Sequence, residues 1–298
     1  MFSITKSHSL VLVAAATAAM SVFMIAPVIK ASFIVSDDFN NNGSPAANGT
    51  SLAGLQPDLA NLPGTSYSVY TFGSGYVPTI DTSTGDPAPS VNTGFNCAAM
   101  LNIASTNNYT LPASVTFSAD IQLNTLQMYS TNLYRGVGVG FFSTDSTWDV
   151  DASSYFTGLV VNPDGTLRLV TPATSSNSPG TGSTTYDVAP FSGFNAANFY
   201  NLTYTVNLTT GAITSVNFNG NNDTTAFSGV TGLPGFEFTP SSTTVLAGFY
   251  GSTDVSSSDF GRVDNFSVST VPEPATLGLV AVGGLALVLI GRKRKTQV

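Results

Sequence analysis

Residues 114–123, SVTFSADIQL, decide the fold class. Val115, Phe117, Ala119, Ile121 and Leu123 take every second position, and the residues between them are mostly polar. Successive side chains of an extended chain point to opposite faces. The alternation therefore predicts a strand with one face on a core and the other towards solvent. The same period recurs further along. In residues 201–220, NLTYTVNLTTGAITSVNFNG, the positions Leu202, Tyr204, Val206 and Leu208 alternate up to Thr210 and Gly211, then Ala212, Thr214, Val216 and Phe218 return. This predicts an antiparallel hairpin. Residues 158–170, GLVVNPDGTLRLV, repeat the device, with Pro163 presetting a turn and Gly165 free to adopt positive φ.

About thirteen such runs lie between residues 32 and 270, divided by clusters of Gly, Asn, Asp, Ser, Thr and Pro, and no amphipathic helical period interrupts them. The expectation is an all-β body, a single large antiparallel β-sandwich. Residues 171–185, TPATSSNSPGTGSTT, are the one stretch that could divide it. A cut there leaves about five strands downstream, thin for a second sandwich, so the stretch is expected to be a long surface loop.

Both ends of the 298-residue chain are apolar and stand apart from this pattern. Lys6 precedes an apolar run over residues 10–29, followed by Lys30, Ala31 and Ser32. Basic, then apolar, then small is the order of a secretory signal, with cleavage placed after Ala31 and an uncleaved anchor as the alternative. The expected organisation is a signal peptide over residues 1–31, the sandwich over 32–270 and a C-terminal signal over 271–298. Between the ends, three arginines, Arg135, Arg168 and Arg262, face sixteen acidic residues, a net charge of −13. Phosphate backbones would repel such a body, so nucleic acid is excluded as a partner.

The body contains neither lysine nor histidine. That removes Ser-His-Asp and Cys-His catalysis, histidine-held zinc and lysine Schiff bases. Cys97 is the only cysteine, so no disulfide closes within the chain, and its setting in GFNCAAML predicts a small buried residue on a strand.

The chain ends VPEPATLGLVAVGGLALVLIGRKRKTQV, residues 271–298. The uncharged run 276–291 would span about 24 Å as a helix at about 1.5 Å per residue. A bilayer core is about 30 Å thick, and snorkelling of Arg292 and Lys293 supplies part of the difference. The basic run Arg292, Lys293, Arg294, Lys295 marks the cytoplasmic side and places the acidic body outside. Pro272 and Pro274 fix two backbone angles and remove two donors, leaving an extended, rigid segment before the helix that a processing enzyme can grip.

This tail resembles the PEP-CTERM sorting signal over its whole length: Val-Pro-Glu-Pro, a short apolar helix, then a basic end. The resemblance implies recognition by a membrane exosortase through Pro272, Glu273 and Pro274, in bacteria whose export is linked to exopolysaccharide. It implies partnership with the exosortase and export machinery, residence in the inner membrane before processing, and a final place at the cell surface or outside the cell. A plain C-terminal anchor is the alternative. The body is similar to the concanavalin A-like, laminin G-like jelly-roll domains of exported bacterial proteins, in FIVSDDFN (33–40), RGVGVGFFS (135–143), LAGFYGS (246–252) and GRVDNFSV (261–268). That likeness implies pairing of the first strand with the last, and one convex and one concave sheet.

Laminarinase-like members of the jelly-roll fold that the body resembles carry a Glu-x-Asp-x-Glu strand, whereas the body has the single glutamate Glu237. The expectation is therefore a non-catalytic protein, with an aspartate-dependent carbohydrate-active enzyme as an alternative. Residues 143–154, STDSTWDVDASS, place Asp145, Asp149 and Asp151 around Trp148, the only tryptophan. Carboxylate oxygens suit Ca²⁺, though the spacing fits no EF-hand, so the stretch is either a calcium loop or a solvated acidic loop. No other cofactor is implied. Just before it, Gly136, Gly138 and Gly140 alternate with Val137, Val139 and Phe141. A bare glycine face serves either tight packing or the floor of a shallow sugar groove, with Tyr134 and Trp148 as stacking platforms. The functional expectation is an exported surface or matrix protein that binds exopolysaccharide or another glycan, or one that is structural without a discrete ligand.

Overall fold

The structure, a computed structural model, describes residues 32–40, 46–71, 77–83, 89–93, 97–105, 111–124, 136–142, 156–170, 187–230, 244–252 and 261–271. Ser32–Val271 forms one compact unit. It is almost wholly β, as the period-two pattern predicts, and all strand pairs are antiparallel. The first sheet contains β1 (Phe33–Asp37), β2 (Leu59–Ala60), β4 (Thr79–Asp81), β5 (Ser90–Thr93), β7 (Ser114–Gln122), β12 (Tyr200–Asn207), β13 (Ala212–Phe218), β14 (Asn221–Asn222) and β16 (Gly261–Thr270). Its order is β14-β13-β12-β7-β16-β1-β2, with β5 pairing β16 and β4 pairing β5. The second sheet contains β3 (Ser68–Thr71), β6 (Cys97–Ser105), β8 (Gly136–Phe142), β9 (Phe156–Val161), β10 (Leu167–Val170), β11 (Asp187–Val188) and β15 (Thr244–Ser252), in the order β11-β10-β9-β8-β15-β6-β3.

The core lies between the two sheets. Val115, Phe117, Ala119 and Ile121 of β7 are fully buried, and the intervening positions of the strand are only partly so. Full burial of each larger apolar side chain stabilises the fold by about 1.5–3 kcal/mol. Phe117 stacks on Tyr204 at 5.1 Å and meets Phe141 edge-on at 4.8 Å, so β7, β12 and β8 share one aromatic cluster. The outer face of β7 and β12 is a ladder of hydroxyls, with Thr116 bonded to Thr205 at 2.9 Å and Ser118 to Thr203 at 3.1 Å.

The hairpin of β12 and β13 forms where expected, with one correction to its inner face. A bulge between Thr205 and Val206 shifts the register. Ile213, Val216 and Phe218 are buried, while Thr214 is exposed and Ala212 only half-buried. The extra residue breaks the two-residue period, which a pattern search carries straight through. The turn between β9 and β10 is as expected: Gly165 has φ 85°, its N–H donates to the Asn162 carbonyl at 2.8 Å, and a Cβ there would collide with the ring of Phe194. Absent from the sequence reading is α1 (Thr224–Phe227), a single turn that buries Phe227 in the core.

The first strand pairs with the last, as the jelly-roll likeness implies. Val35 lies opposite Val268 and Ser36 opposite Ser267. The backbone N–H of Thr270 donates to the Ser32 carbonyl at 2.8 Å, and the Ser32 N–H returns a bond to the Thr270 hydroxyl at 3.0 Å. The apolar segment 276–291, the N-terminal segment 1–31 and the loop 171–185 lie outside the described residues. Among the described residues, no helix is long and apolar enough to cross a membrane.

Candidate functional site

At the end of β1 the chain turns sharply through Asp38, Phe39 and Asn40. Short polar side chains drive the turn. The Asp37 carboxylate accepts the N–H of Phe39 at 2.7 Å, and the Asp38 carboxylate accepts the N–H of Asn40 at 3.0 Å and its side-chain amide. Two carboxylates thus replace the ladder where the strand stops. Phe39 is forced to φ 57°, unusual for a bulky residue, and its buried ring is held by Tyr67 at 6.3 Å and Phe249 at 6.0 Å. Asp58 arrives from the other side because β2 pairs with β1, Ser36 opposite Leu59. Its carboxylate accepts the N–H of Asp38 at 3.0 Å.

The result is a knot of three carboxylates. One oxygen each from Asp37, Asp38 and Asp58 lies within 4.8 Å of the others. They border a cleft of about 640 Å³ that is also lined by Phe33, Ser36 and Asn40 and by Asn265, Phe266 and Ser267 of the neighbouring β16. Asp37 is 5% exposed. Burial pushes its pKa up to about 7 against the opposing Phe39 N–H and Tyr67 hydroxyl, and the charges of Asp58 and Asp38 push the same way. Burial and then Asp58 also raise Asp38. Tyr67 lies against Asp37 from the core side. Its hydroxyl is buried, and burial, then the charge of Asp37, the hydrogen bond with Asp37 and the charge of Asp58 hold its pKa well above the tyrosine range. Among the described residues, no basic group is among the neighbours acting on Asp37 and Asp38.

Three carboxylates this close have two ways to lower their repulsion: share a proton or take up a cation. Ligands on opposite sides of a calcium ion, each about 2.4 Å from it, are about 4.8 Å apart, so the spacing is compatible with one ion among them. With oxygen donors alone the set suits hard cations, not zinc or copper.

A second polar constellation is structural. Arg262 of β16 donates to Asp81 at 2.8 Å and to Gln122 at 2.6 Å, joining β4, β7 and β16.

The residues singled out in the sequence fall elsewhere. Tyr134, Trp148, Asp145, Asp149 and Asp151 lie outside the described residues, as do Pro272, Glu273, Pro274, Arg292, Lys293 and Arg294. The glycine face of β8 is described: a Cβ on Gly138 would lie 2.3 Å from the ring of Tyr250, so that ring occupies the space the missing side chain leaves. Tyr250 meets Phe156 edge-on at 4.7 Å within a second apolar cluster that includes Met100, Phe142 and Val160, on the face of this sheet turned away from the main core. The acidic knot was missed. Its one local signal is the adjacent pair Asp37-Asp38 closing a strand, within a stretch that carried the jelly-roll likeness.

Comparison with known proteins identifies a PEP-CTERM protein-sorting motif at residues 270–295, which implies export. No curated protein matches the chain. Among solved structures, domain 4 of an extracellular GH43 arabinanase, AbnA, from Geobacillus stearothermophilus aligns with TM-score 0.45 and 13% identity, covering 83% of this chain and 96% of that one. An endo-1,3-beta-glucanase from Streptomyces sioyaensis aligns with TM-score 0.43 and 11% identity, over 83% and 99%. The cellulose induced protein Cip1 aligns with TM-score 0.41 and 14% identity, over 80% and 97%. At this level of similarity nothing of their ligands or activities transfers to the chain.

Proposed function

We propose that the chain is an exported bacterial protein of the cell surface or extracellular matrix, released from the inner membrane by an exosortase, whose sandwich binds exopolysaccharide or another glycan without catalysis. The observation that carries the export reading is the sorting motif, which begins at residue 270, the last residue of β16. The domain division into residues 1–31, 32–270 and 271–298 belongs to the same proposal. Glycan binding is supported by the second apolar cluster, which lies apart from the main core. Tyr134 and Trp148 are the proposed stacking residues, and their segments flank β8 of the sheet that carries this cluster. A non-catalytic role is supported by the sequence of the body, which has a single glutamate, Glu237, and neither lysine nor histidine.

The test has two arms. Glu273→Ala is expected to leave full-length precursor in the membrane fraction, while wild type yields a shorter released form lacking Arg292, Lys293 and Arg294. Indifference of processing to Glu273 would replace the sorting reading with a plain anchor. In the second arm, released wild type is expected to be retained on extracted exopolysaccharide and Trp148→Ala to pass through at an unchanged melting temperature. If neither protein is retained, the protein is structural.

A further inference from the structure

We infer that the sandwich restrains its own processing: the Ser32–Thr270 pair keeps the first residues of the sorting motif inside the first sheet, so the processing enzyme reaches them only when that strand end opens. The matched motif starts at residue 270, yet β16 runs to Thr270 and hydrogen bonding continues through Val271. β16 is an interior strand, between β7 and β1. Thr270 is therefore held from both sides. It lies opposite Val115 of β7, and its N–H donates to the Ser32 carbonyl at 2.8 Å. Its hydroxyl accepts the Ser32 N–H at 3.0 Å and lies 3.2 Å from the Ser32 hydroxyl. The N–H of Val271 donates to the Ser114 carbonyl at 3.4 Å. Pro272 follows directly, so the sequence leaves no spacer between the sheet and the Pro-Glu-Pro tripeptide.

Backbone chemistry turns this junction into a constraint. Extended peptides are commonly recognised by pairing their main chain with that of the partner. Pro272 and Pro274 have no N–H, so Glu273 supplies the one backbone donor of the tripeptide. The next donors on its N-terminal side are Val271 and Thr270, and both are already spent inside the sheet. An enzyme can take them only after the end of β16 parts from β1 and β7. The side-chain bonds of the Ser32–Thr270 pair are exposed to solvent, where strand ends open more readily than a buried strand centre. When opening and closing are fast, the rate of cutting follows the open fraction.

The inference rests on the sorting reading above, and the test separates the two. Full-length precursor carrying Ser32→Cys and Thr270→Cys is followed by immunoblot in membranes that hold the processing activity. Hydroxyls 3.2 Å apart place these two positions within reach of a disulfide, and Cys97, 2% exposed, stays out of the exchange. The oxidised double variant should be converted at least about tenfold more slowly than wild type, and reductant should restore the rate. Thr270→Val removes both side-chain bonds and should be converted about three- to tenfold faster. A Gly-Ser-Gly-Ser spacer between Thr270 and Val271 should abolish the effect of oxidation. Hydrogen exchange of the purified precursor measures the opening without any enzyme: the amide at position 270 should exchange faster in Thr270→Val than in wild type. Conversion of the oxidised variant at the wild-type rate, with processing still dependent on Glu273, would overturn the inference and leave the sorting reading standing. Conversion indifferent to Glu273→Ala would sink both.

Discussion

The hydroxyl of Tyr204 on β12 donates to the carbonyl of Val139 on β8 at 2.8 Å, crossing from one sheet of the sandwich to the other. Both residues are buried, Tyr204 completely. Apolar packing between sheets is tolerant of sliding, whereas one directed bond is not, so this contact helps set how the layers register.

Tyr204→Phe keeps the ring and its stack on Phe117 but removes the bond. The expected cost is about 1–2 kcal/mol, a fall in melting temperature of roughly 2–8 °C for a body of this size. Thermal unfolding by circular dichroism checks it, and an unchanged midpoint would show that the bond is not needed.

Gly138→Ala should destabilise more than a surface glycine change, because the new methyl would sit 2.3 Å from the Tyr250 ring. Overpacking of this kind costs about 1–3 kcal/mol. Tyr250→Leu, made in the Gly138→Ala background, should recover part of the loss. A double-mutant cycle with no coupling between the two positions would refute the steric explanation.

How much of this was legible follows the physics of each element. Strand β7 was readable because its alternation is unbroken and one face is wholly buried. The inner face of β13 was misassigned because a bulge inserts one residue, and nothing in residues 212–218 announces it. Cys97 was placed correctly as a small buried residue at the head of a strand. The acidic knot was not legible as a unit, since Asp58 lies 20 residues from Asp38 and reaches it only because β2 pairs with β1. Sequence reasoning looked instead to Asp145, Asp149 and Asp151, where the carboxylates cluster along the chain. Local density of charge can be seen in a sequence. Convergence produced by strand pairing cannot.

Asp37 makes stability depend on pH in a defined direction. Its pKa in the fold is about 7 against the ordinary 3.8. The native state therefore holds a proton that the unfolded chain has released. The resulting stability is complete below about pH 3.8 and lost as pH rises through about 7. The titratable groups facing it are Asp38, Asp58 and Tyr67, none of them basic. With chelator present, wild type should melt lower at about pH 8 than at about pH 5, and Asp37→Asn should show a smaller difference. Identical pH profiles for the two proteins would assign the dependence to another group.

Cys97 is 2% exposed on β6. A charged thiol reagent should leave the native chain unlabelled and modify it fully once unfolded. Cys97→Ser should fold with a penalty of about 1 kcal/mol, the scale of a modest change in a packed site. Rapid labelling of the native protein would contradict the buried placement.

The outermost described strands are short: β2, β11 and β14 have two residues each, β4 three and β3 four. Where copies of a β-sandwich meet, an open sheet border is where one copy would template the next. Among the described residues, an approaching strand finds two to four residues to bond with at each border, little to set against the entropy of its own ordering. Edges this short blunt the templating by which one folded copy would recruit another into a fibril.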